Sequence, residues 1–130
     1  AGVDTIFHGV KQKPGKPLFA GQLNQTLIMG LPGNPSSVLH CFQQYVKPVI
    51  QLMMGMQISP AQQARMAQGY EKNTPFDFFV KGFLQNGEVT ILEAQASYQV
   101  GAFSVANCWV ELPAAEFRFS KGQQVTVYLF

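Results

Sequence analysis

The residue types best suited to chemistry lie in two short segments. Residues 13–17 read Lys-Pro-Gly-Lys-Pro, and residues 30–37 read Gly-Leu-Pro-Gly-Asn-Pro-Ser-Ser. Lysine is a compact point charge that suits contacts with phosphate or other oxyanions. Gly30 and Gly33 allow the backbone to turn sharply and let a ligand approach closely. The two segments together predict a cradle for a phosphate or an oxyanion.

The second segment connects a predicted strand to a predicted helix. Asn34 suits the N-cap, and Pro35 suits the first helical position, where its missing N–H costs nothing. The N–H groups and the positive dipole end of such a helix favour an anion. A simpler alternative stays open here, because most capped strand-to-helix turns bind nothing and most surface lysines are solvated.

The first part of the chain has the pattern of an α/β segment. Asn24 suits a tight turn between two strands. The following helix carries apolar residues at helical spacing, and Pro48 should interrupt it near Tyr45. Met53, Met54 and Met56 extend this apolar stripe and are expected in the core. The predicted elements are strands at 3–10, 18–22 and 26–30 and a helix at 36–54.

Beyond a linker at residues 57–61, the hydrophobic period changes to two. Asn86-Gly87 is the strongest hairpin signal in the chain, and residues 97–107 look irregular. Five or so short strands in this length predict a small all-β barrel or sandwich. The predicted strands are 64–71, 76–85, 88–94, 108–112 and 123–130. The predicted domains are therefore residues 1–56 and residues 57–130.

Composition excludes several classes of protein. Charged residues make up 12% of the chain, against a usual share of about 25%, which favours surfaces that bind partners. The net charge of +2 and the lack of a basic stripe argue against a nucleic-acid partner. No apolar run approaches the ~20 residues that span a membrane. The two cysteines lie far apart in the sequence, and nothing indicates that they form a disulfide. We therefore expect a cytoplasmic protein with no nucleic acid and no membrane partner.

No residue emerges as a general acid, base or nucleophile. His8 and His40 have no carboxylate or cysteine at metal-ligand spacing, and the common hydrolase, P-loop and zinc-protease motifs are absent. We read both histidines as structural, predict no metal site in this chain, and leave the catalytic residues unassigned. This lack of catalytic groups argues against a complete enzyme.

Several motifs together resemble the molybdopterin molybdenumtransferase family, which includes the gephyrin E domain. The resemblance is carried by Phe7-His8-Gly9-Val10, by the two segments described above with their spacing, and by residues 106–113, Ala-Asn-Cys-Trp-Val-Glu-Leu-Pro. It covers essentially the whole chain, but only about the C-terminal third of a family member. It implies that residues 1–56 end a molybdopterin-binding α/β domain and that residues 57–130 form the C-terminal β-barrel domain.

The resemblance also implies an activity and a site. Family members ligate molybdate to the dithiolene of adenylylated molybdopterin and release AMP, with Mg²⁺ assisting, and they are typically homodimers. The acidic residues that handle the metal lie mainly upstream of the part present here. The substrate-binding residues implied at matching positions are Lys13, Lys16, Pro32, Gly33, Asn34, Ser36, Gln95 and Ser97.

Two departures from the family pattern concern the detail of this site. Some members carry a further lysine where this chain has Gly9, and two serines of the last domain are replaced by Gly101 and Ala102. We expect the isolated chain to be inactive. A non-enzymatic scaffold module of the gephyrin type is an alternative, because eleven phenylalanines and a low charge suit a partner surface. A generic phosphate-binding α/β segment is a further one.

Overall fold

The strands and helices fall into two groups along the chain. The computed structural model describes residues 2–92 and 105–130, and its contacts separate two units, Ala1–Ile58 and Ser59–Phe130. The first unit contains a small sheet and a helical segment, and the second consists of strands. The predicted fold class, an α/β segment followed by a small β-barrel, is confirmed.

The sheet of the first unit is antiparallel, with the strand order β1-β3-β4. Leu23 pairs with Thr26, so the turn between β3 and β4 contains only two residues. Asn24 adopts a φ of 55° in that turn, a left-handed conformation that asparagine tolerates better than most residues. The predicted hairpin is therefore confirmed. The strands of this unit are β1 (Asp4–His8), β2 (Gln12–Lys13), β3 (Phe19–Leu23) and β4 (Thr26–Gly30).

The helical segment follows β4 and has three parts. These are α1 (Pro35–Cys41), a π-helical turn (Phe42–Val46) and α2 (Lys47–Met53). Asn34 occupies the N-cap of α1 as predicted, but its side chain makes no capping hydrogen bond. Pro48 lies in the first turn of α2. Because proline cannot donate the N–H that would continue a regular helix, the predicted interruption near Tyr45 takes the form of the wider π turn.

The methionines at the end of α2 are not in the core. Met53, Met54 and Met56 are 78%, 69% and 49% exposed, so the prediction that they are core residues is wrong. They lie at and just beyond the last turn of α2, where Gly55 adopts a φ of 74° and the helix ends. Helical periodicity shows that the apolar residues share one face of the helix, but it does not show whether another element packs against that face.

The second unit contains a closed five-stranded barrel. Its strand order is β7-β8-β5-β11-β9, and β9 pairs back with β7. The neighbouring pairs are antiparallel except β5 and β8, which are parallel. The strands of this unit are β5 (Gln62–Met66), β6 (Tyr70–Glu71), β7 (Asp77–Gln85), β8 (Glu88–Ile91), β9 (Cys108–Leu112), β10 (Arg118–Phe119) and β11 (Gln124–Leu129).

One strand prediction in this unit needs correction. Residues 64–71 do not form one strand, because the chain leaves the barrel after Met66 and residues 70–71 pair with β10 instead. The backbone at the break bonds to two other segments: Ala67 N–H donates to Val89 O at 2.9 Å, and Met66 O accepts from Gly122 N–H at 2.8 Å. Alternation alone cannot show where a chain exchanges one partner strand for another.

Alternating residues of the barrel strands face inward and make the core. Val80, Val110 and Val127 lie on three neighbouring strands and are fully buried. Burial of alternate residues is the expected result when a sheet closes around its own side chains. The cluster comprises Ala64, Met66, Phe78, Val80, Val89, Ile91, Cys108, Val110, Leu112, Phe119, Val125 and Val127.

Candidate functional site

The pairing register brings the two predicted site segments to one end of the first sheet. His8 pairs with Phe19, and Phe19 pairs with Gly30, so these three residues form one row across the strands. We call residues 9–18, which connect β1 to β3, the lysine loop; residues 30–37, which follow β4, are the glycine-proline turn. Both segments therefore leave the sheet at the same end.

The predicted binding residues differ in exposure. The two lysines of the loop, Lys13 and Lys16, are exposed, as are Gly33 and Asn34 in the glycine-proline turn. Pro32 is half-buried. Ser36 is only 2% exposed, so its hydroxyl lies beneath the surface of the turn.

The lysine loop has a defined backbone shape. Gly9 N–H donates to Leu18 O at 2.8 Å, and Val10 N–H donates to Lys16 O at 2.9 Å. Leu18 N–H donates in turn to Gly15 O at 3.2 Å, and the Lys13–Pro14 peptide bond is cis. The three hydrogen bonds tie the two ends of the loop together and hold the lysine-bearing segment between them.

Gly15 occupies a position in this loop where a side chain does not fit. Its φ is 95°, a region that L residues with a side chain rarely adopt. A Cβ at this position would lie 2.4 Å from Cys41 Sγ and 2.9 Å from Gln12 Nε2. The loop therefore sits directly against the end of α1, in a space that only a glycine fits.

Gln12 links the same loop to the π-helical turn. Its side chain is buried, and its Nε2 donates to Gly15 O at 3.4 Å and lies 4.0 Å from Cys41 Sγ. Its Oε1 accepts a hydrogen bond from the Tyr45 hydroxyl. Gln12 and Tyr45 are not among the predicted site residues, because nothing in the sequence around either residue indicates a partner so distant along the chain.

The layer under the loop is uncharged at neutral pH. Burial lowers the pKa of His40 to about 3 and raises the pKa of the Cys41 thiol to about 11. His40 is thus a neutral imidazole, consistent with the structural role predicted for it, and Cys41 is a protonated thiol and a poor nucleophile. Positive charge at this end comes instead from the loop lysines. Residues 1–58 hold four lysines, at 11, 13, 16 and 47, and a single carboxylate, Asp4.

The glycines of the glycine-proline turn behave differently from the expectation. Neither Gly30 nor Gly33 has a positive φ. A Cβ at Gly30 would lie 3.2 Å from Phe19 Cβ, whereas a Cβ at Gly33 would meet no atom within 4 Å. Backbone conformation therefore does not explain Gly33, and the open space beside it is what a ligand would need for close approach.

Mg²⁺ does not fit the residues at this end of the first unit. Magnesium prefers carboxylate oxygens, and Asp4 lies at the opposite end of β1, where it pairs with Gln22. Across the described residues, no group of three or more His, Cys, Asp and Glu side chains could hold a metal ion. Within the same residues, no helix is both long enough and apolar enough to cross a membrane.

The residues of the motif at 106–113 hold strands of the barrel together. Asn107 Oδ1 accepts from Leu84 N–H at 2.7 Å, and Asn107 Nδ2 donates to Leu84 O at 2.9 Å. Trp109 is 1% exposed on β9. The described residues of this motif thus have structural roles. The predicted site residues Gln95 and Ser97, and the departures at Gly101 and Ala102, lie outside the described residues.

Comparisons with known proteins agree on one family. Residues 1–52 match the sequence model of a probable molybdopterin binding domain, and residues 63–130 match that of the MoeA C-terminal region (domain IV). The chain is 30% identical to the molybdopterin molybdenumtransferase of Bacillus subtilis and covers 31% of it. It is 32% identical to that of Haemophilus influenzae and covers 33% of it. The chain thus spans about a third of these relatives, which align with 98% and 95% of its own residues.

Solved structures with the same fold point in the same direction. The molybdopterin biosynthesis moeA protein of Pyrococcus horikoshii superposes with a TM-score of 0.78 at 25% identity, over 98% of this chain and 33% of that one. A molybdenum cofactor biosynthesis protein of Pyrococcus furiosus gives a TM-score of 0.76 at 20% identity, over 98% of this chain and 45% of that one, and shows the fold alone. Because the MoeA C-terminal region matches more than half of its residues, this chain belongs to the MoeA family.

Proposed function

We propose that this chain serves molybdenum cofactor biosynthesis as part of a molybdopterin molybdenumtransferase. The reaction ligates molybdate to the dithiolene of adenylylated molybdopterin and releases AMP. The relatives bear the name of this enzyme, and the chain supplies a lysine-rich segment of the kind that such an anionic substrate requires.

One observation carries this proposal: the row His8-Phe19-Gly30 directs the lysine loop and the glycine-proline turn to the same end of the sheet. Lys13 and Lys16 would face the phosphates or the molybdate oxyanion, and Pro32, Gly33, Asn34 and Ser36 would shape the backbone beside them. Fixed positive charge stabilises negative charge that develops during group transfer. The neutral layer of Gln12, His40 and Cys41 beneath the loop adds no competing carboxylate.

Further groups that the reaction needs are expected outside the lysine loop and the glycine-proline turn. Mg²⁺ would supply charge neutralisation at the phosphates, and its ligands are expected mainly outside this chain. Gln95 and Ser97 remain predicted border residues of the site. A homodimer and a cytoplasmic location also remain part of the proposal.

The test is a binding titration of molybdopterin, with AMP measured in parallel, against wild-type chain and Lys13→Ala. Loss of one charge-assisted contact should weaken molybdopterin binding by about tenfold, or ~1.4 kcal/mol. Lys47→Ala removes one exposed lysine of the same unit from α2 and should leave the affinity unchanged. Equal effects of the two substitutions would show that the lysine loop contributes only general charge.

Activity provides a second test of the same proposal. The chain alone should release no AMP from adenylylated molybdopterin in the presence of molybdate, because its first unit has one carboxylate where a metal-assisted transfer needs several. Molybdate-dependent AMP release by this chain would contradict the assignment of the acidic groups to another part of the enzyme.

A scaffold module of the gephyrin type is the second candidate function. The exposed apolar residues of α2 and its C-terminal side favour it, since Leu52 is 60% and Met53 is 78% exposed. Large exposed apolar side chains in a group are typical of interaction surfaces. A scaffold should tolerate Lys13→Ala and Asn34→Ala with its partner binding intact, whereas a transferase should lose substrate affinity.

A further inference from the structure

We infer that the Gln12–Tyr45 hydrogen bond is a positioning device for the lysine loop, which sets the affinity of that loop for its anion. This inference rests on the proposed function, since it concerns the same loop and the same anionic ligand. Neither residue needs to touch the ligand: Gln12 acts on the loop, and Tyr45 acts on Gln12.

The buried contacts of Gln12 define this role. Its Nε2 donates to Gly15 O, the carbonyl between the two lysines, and its Oε1 accepts from the Tyr45 hydroxyl on the π-helical turn. The side chain is 2% exposed, so water does not readily replace either partner. A buried amide with one bond to a loop and one to a helix fixes the distance between them.

The loop depends on this link because of its own composition. Pro14 and Pro17 donate no backbone hydrogen bonds, and the lysine segment is held by the bonds of Val10 and Leu18 at its two ends. The Gln12 amide reaches the middle of the segment, at Gly15. Without it, the loop would sample further conformations, and apparent affinity falls in proportion to the binding-competent fraction.

The experiment uses the full chain and two conservative variants. Tyr45→Phe removes only the hydroxyl, and Gln12→Met keeps the length of the side chain but removes its amide. Tyr128→Phe is the matched control, because it removes a tyrosine hydroxyl that donates to Glu111 Oε2 at 2.6 Å in the second unit. Amide hydrogen exchange is followed at Val10 and Leu18, whose N–H groups bond to Lys16 O and Gly15 O.

Tyr45→Phe should raise the exchange rate at Val10 and Leu18 by about fivefold, within the range that a single hydrogen bond controls. Tyr128→Phe should leave those two rates unchanged. Adding Tyr45→Phe to Gln12→Met should produce no further increase, because both substitutions break the same link. Exchange rates in Tyr45→Phe equal to those in Tyr128→Phe would overturn the inference.

Affinity is measured separately with inorganic pyrophosphate at fixed ionic strength. Tyr45→Phe should weaken binding by a factor between about two and five, because the binding-competent fraction cannot fall by more than the loop-opening constant rises. The unfolding midpoint of the second unit should stay constant. Wild-type chain that binds no pyrophosphate would refute the anion site of the proposed function. An unchanged dissociation constant despite faster exchange would instead refute the inferred link between loop order and affinity.

Discussion

Gly15→Ala offers the sharpest test of how the lysine loop is held. The glycine has a φ of 95°, and the added methyl group would overlap Cys41 Sγ at 2.4 Å and Gln12 Nε2 at 2.9 Å. Neither neighbour can retreat easily, because both are buried. The substitution therefore forces the loop away from the end of α1.

The expected cost follows from two effects. A side chain in the left-handed region costs roughly 1–2 kcal/mol. Displacement of the loop also breaks the bond from Gln12 to Gly15 O, and a hydrogen bond contributes about 1 kcal/mol net. We expect Gly15→Ala to lower the free energy of unfolding of the first unit by ~2–3 kcal/mol.

The assay separates the two units of the chain. Amide exchange of α1 and β3 residues under native conditions reports the first unit, while fluorescence of Trp109, the single tryptophan, reports the barrel. Gly33→Ala is the matched control, because its Cβ would meet no atom within 4 Å and its φ is not positive. That control should leave stability unchanged or raise it slightly.

Rescue distinguishes overlap from backbone strain. Cys41→Ala removes the atom closest to the added methyl group. Gly15→Ala should therefore lower the free energy of unfolding less in a Cys41→Ala background than in the wild-type chain. Should Gly15→Ala and Gly33→Ala prove equally stable in the first unit, the close packing of loop and helix would be refuted.

Three further predictions concern other parts of the chain. Burial lowers the pKa of His40 to about 3 in the folded chain, whereas a histidine in the unfolded chain titrates at about 6.5. As the pH falls below about 6.5, the unfolded chain therefore binds a proton that the folded chain does not, and stability is lost. Lowering the pH to 5 should reduce the free energy of unfolding of the first unit by about 2 kcal/mol. Urea titrations at both pH values should show a smaller loss in His40→Gln, and an equal loss would contradict the assignment. Leu112→Ala empties a fully buried barrel position and should cost about 3 kcal/mol in Trp109 fluorescence titrations, with the first unit unaffected; a loss under 1 kcal/mol would argue against tight packing. Asn107→Ala removes both bonds to Leu84 and should cost ~2 kcal/mol in the same titrations, whereas Asn73→Ala, at an exposed position without a positive φ, should cost less than about 0.5 kcal/mol.

Local patterns predicted the elements of this chain well. The hairpin turns at Asn24 and Asn86 and the break near Pro48 depend on the backbone preferences of one or two residues. Alternation found most of the barrel strands because their inward-facing residues form the buried core. These signals work from sequence because their causes lie within a few residues.

Features that depend on distant partners were not predicted. The Gln12–Tyr45 bond joins segments separated by β3, β4 and α1, and neither residue has a local pattern that indicates it. Periodicity likewise identified the apolar stripe that ends in Met53 but not its exposure. For the site, the motifs located the lysine loop and the glycine-proline turn, whereas the contacts that shape the loop required the fold.

The closure of the barrel has a consequence for synthesis of the chain. Gln62, at the start of the first strand of the barrel, pairs with Val127 in its last strand, so these contacts span almost the entire unit. During translation, the edge of β5 that pairs with β11 stays unpaired until β11 has left the ribosome, because two strands can pair only after both have been synthesised. The β3–β4 hairpin, by contrast, can form as soon as its turn is translated. The two units should therefore become protected from proteolysis one after the other during translation, and the barrel should be last.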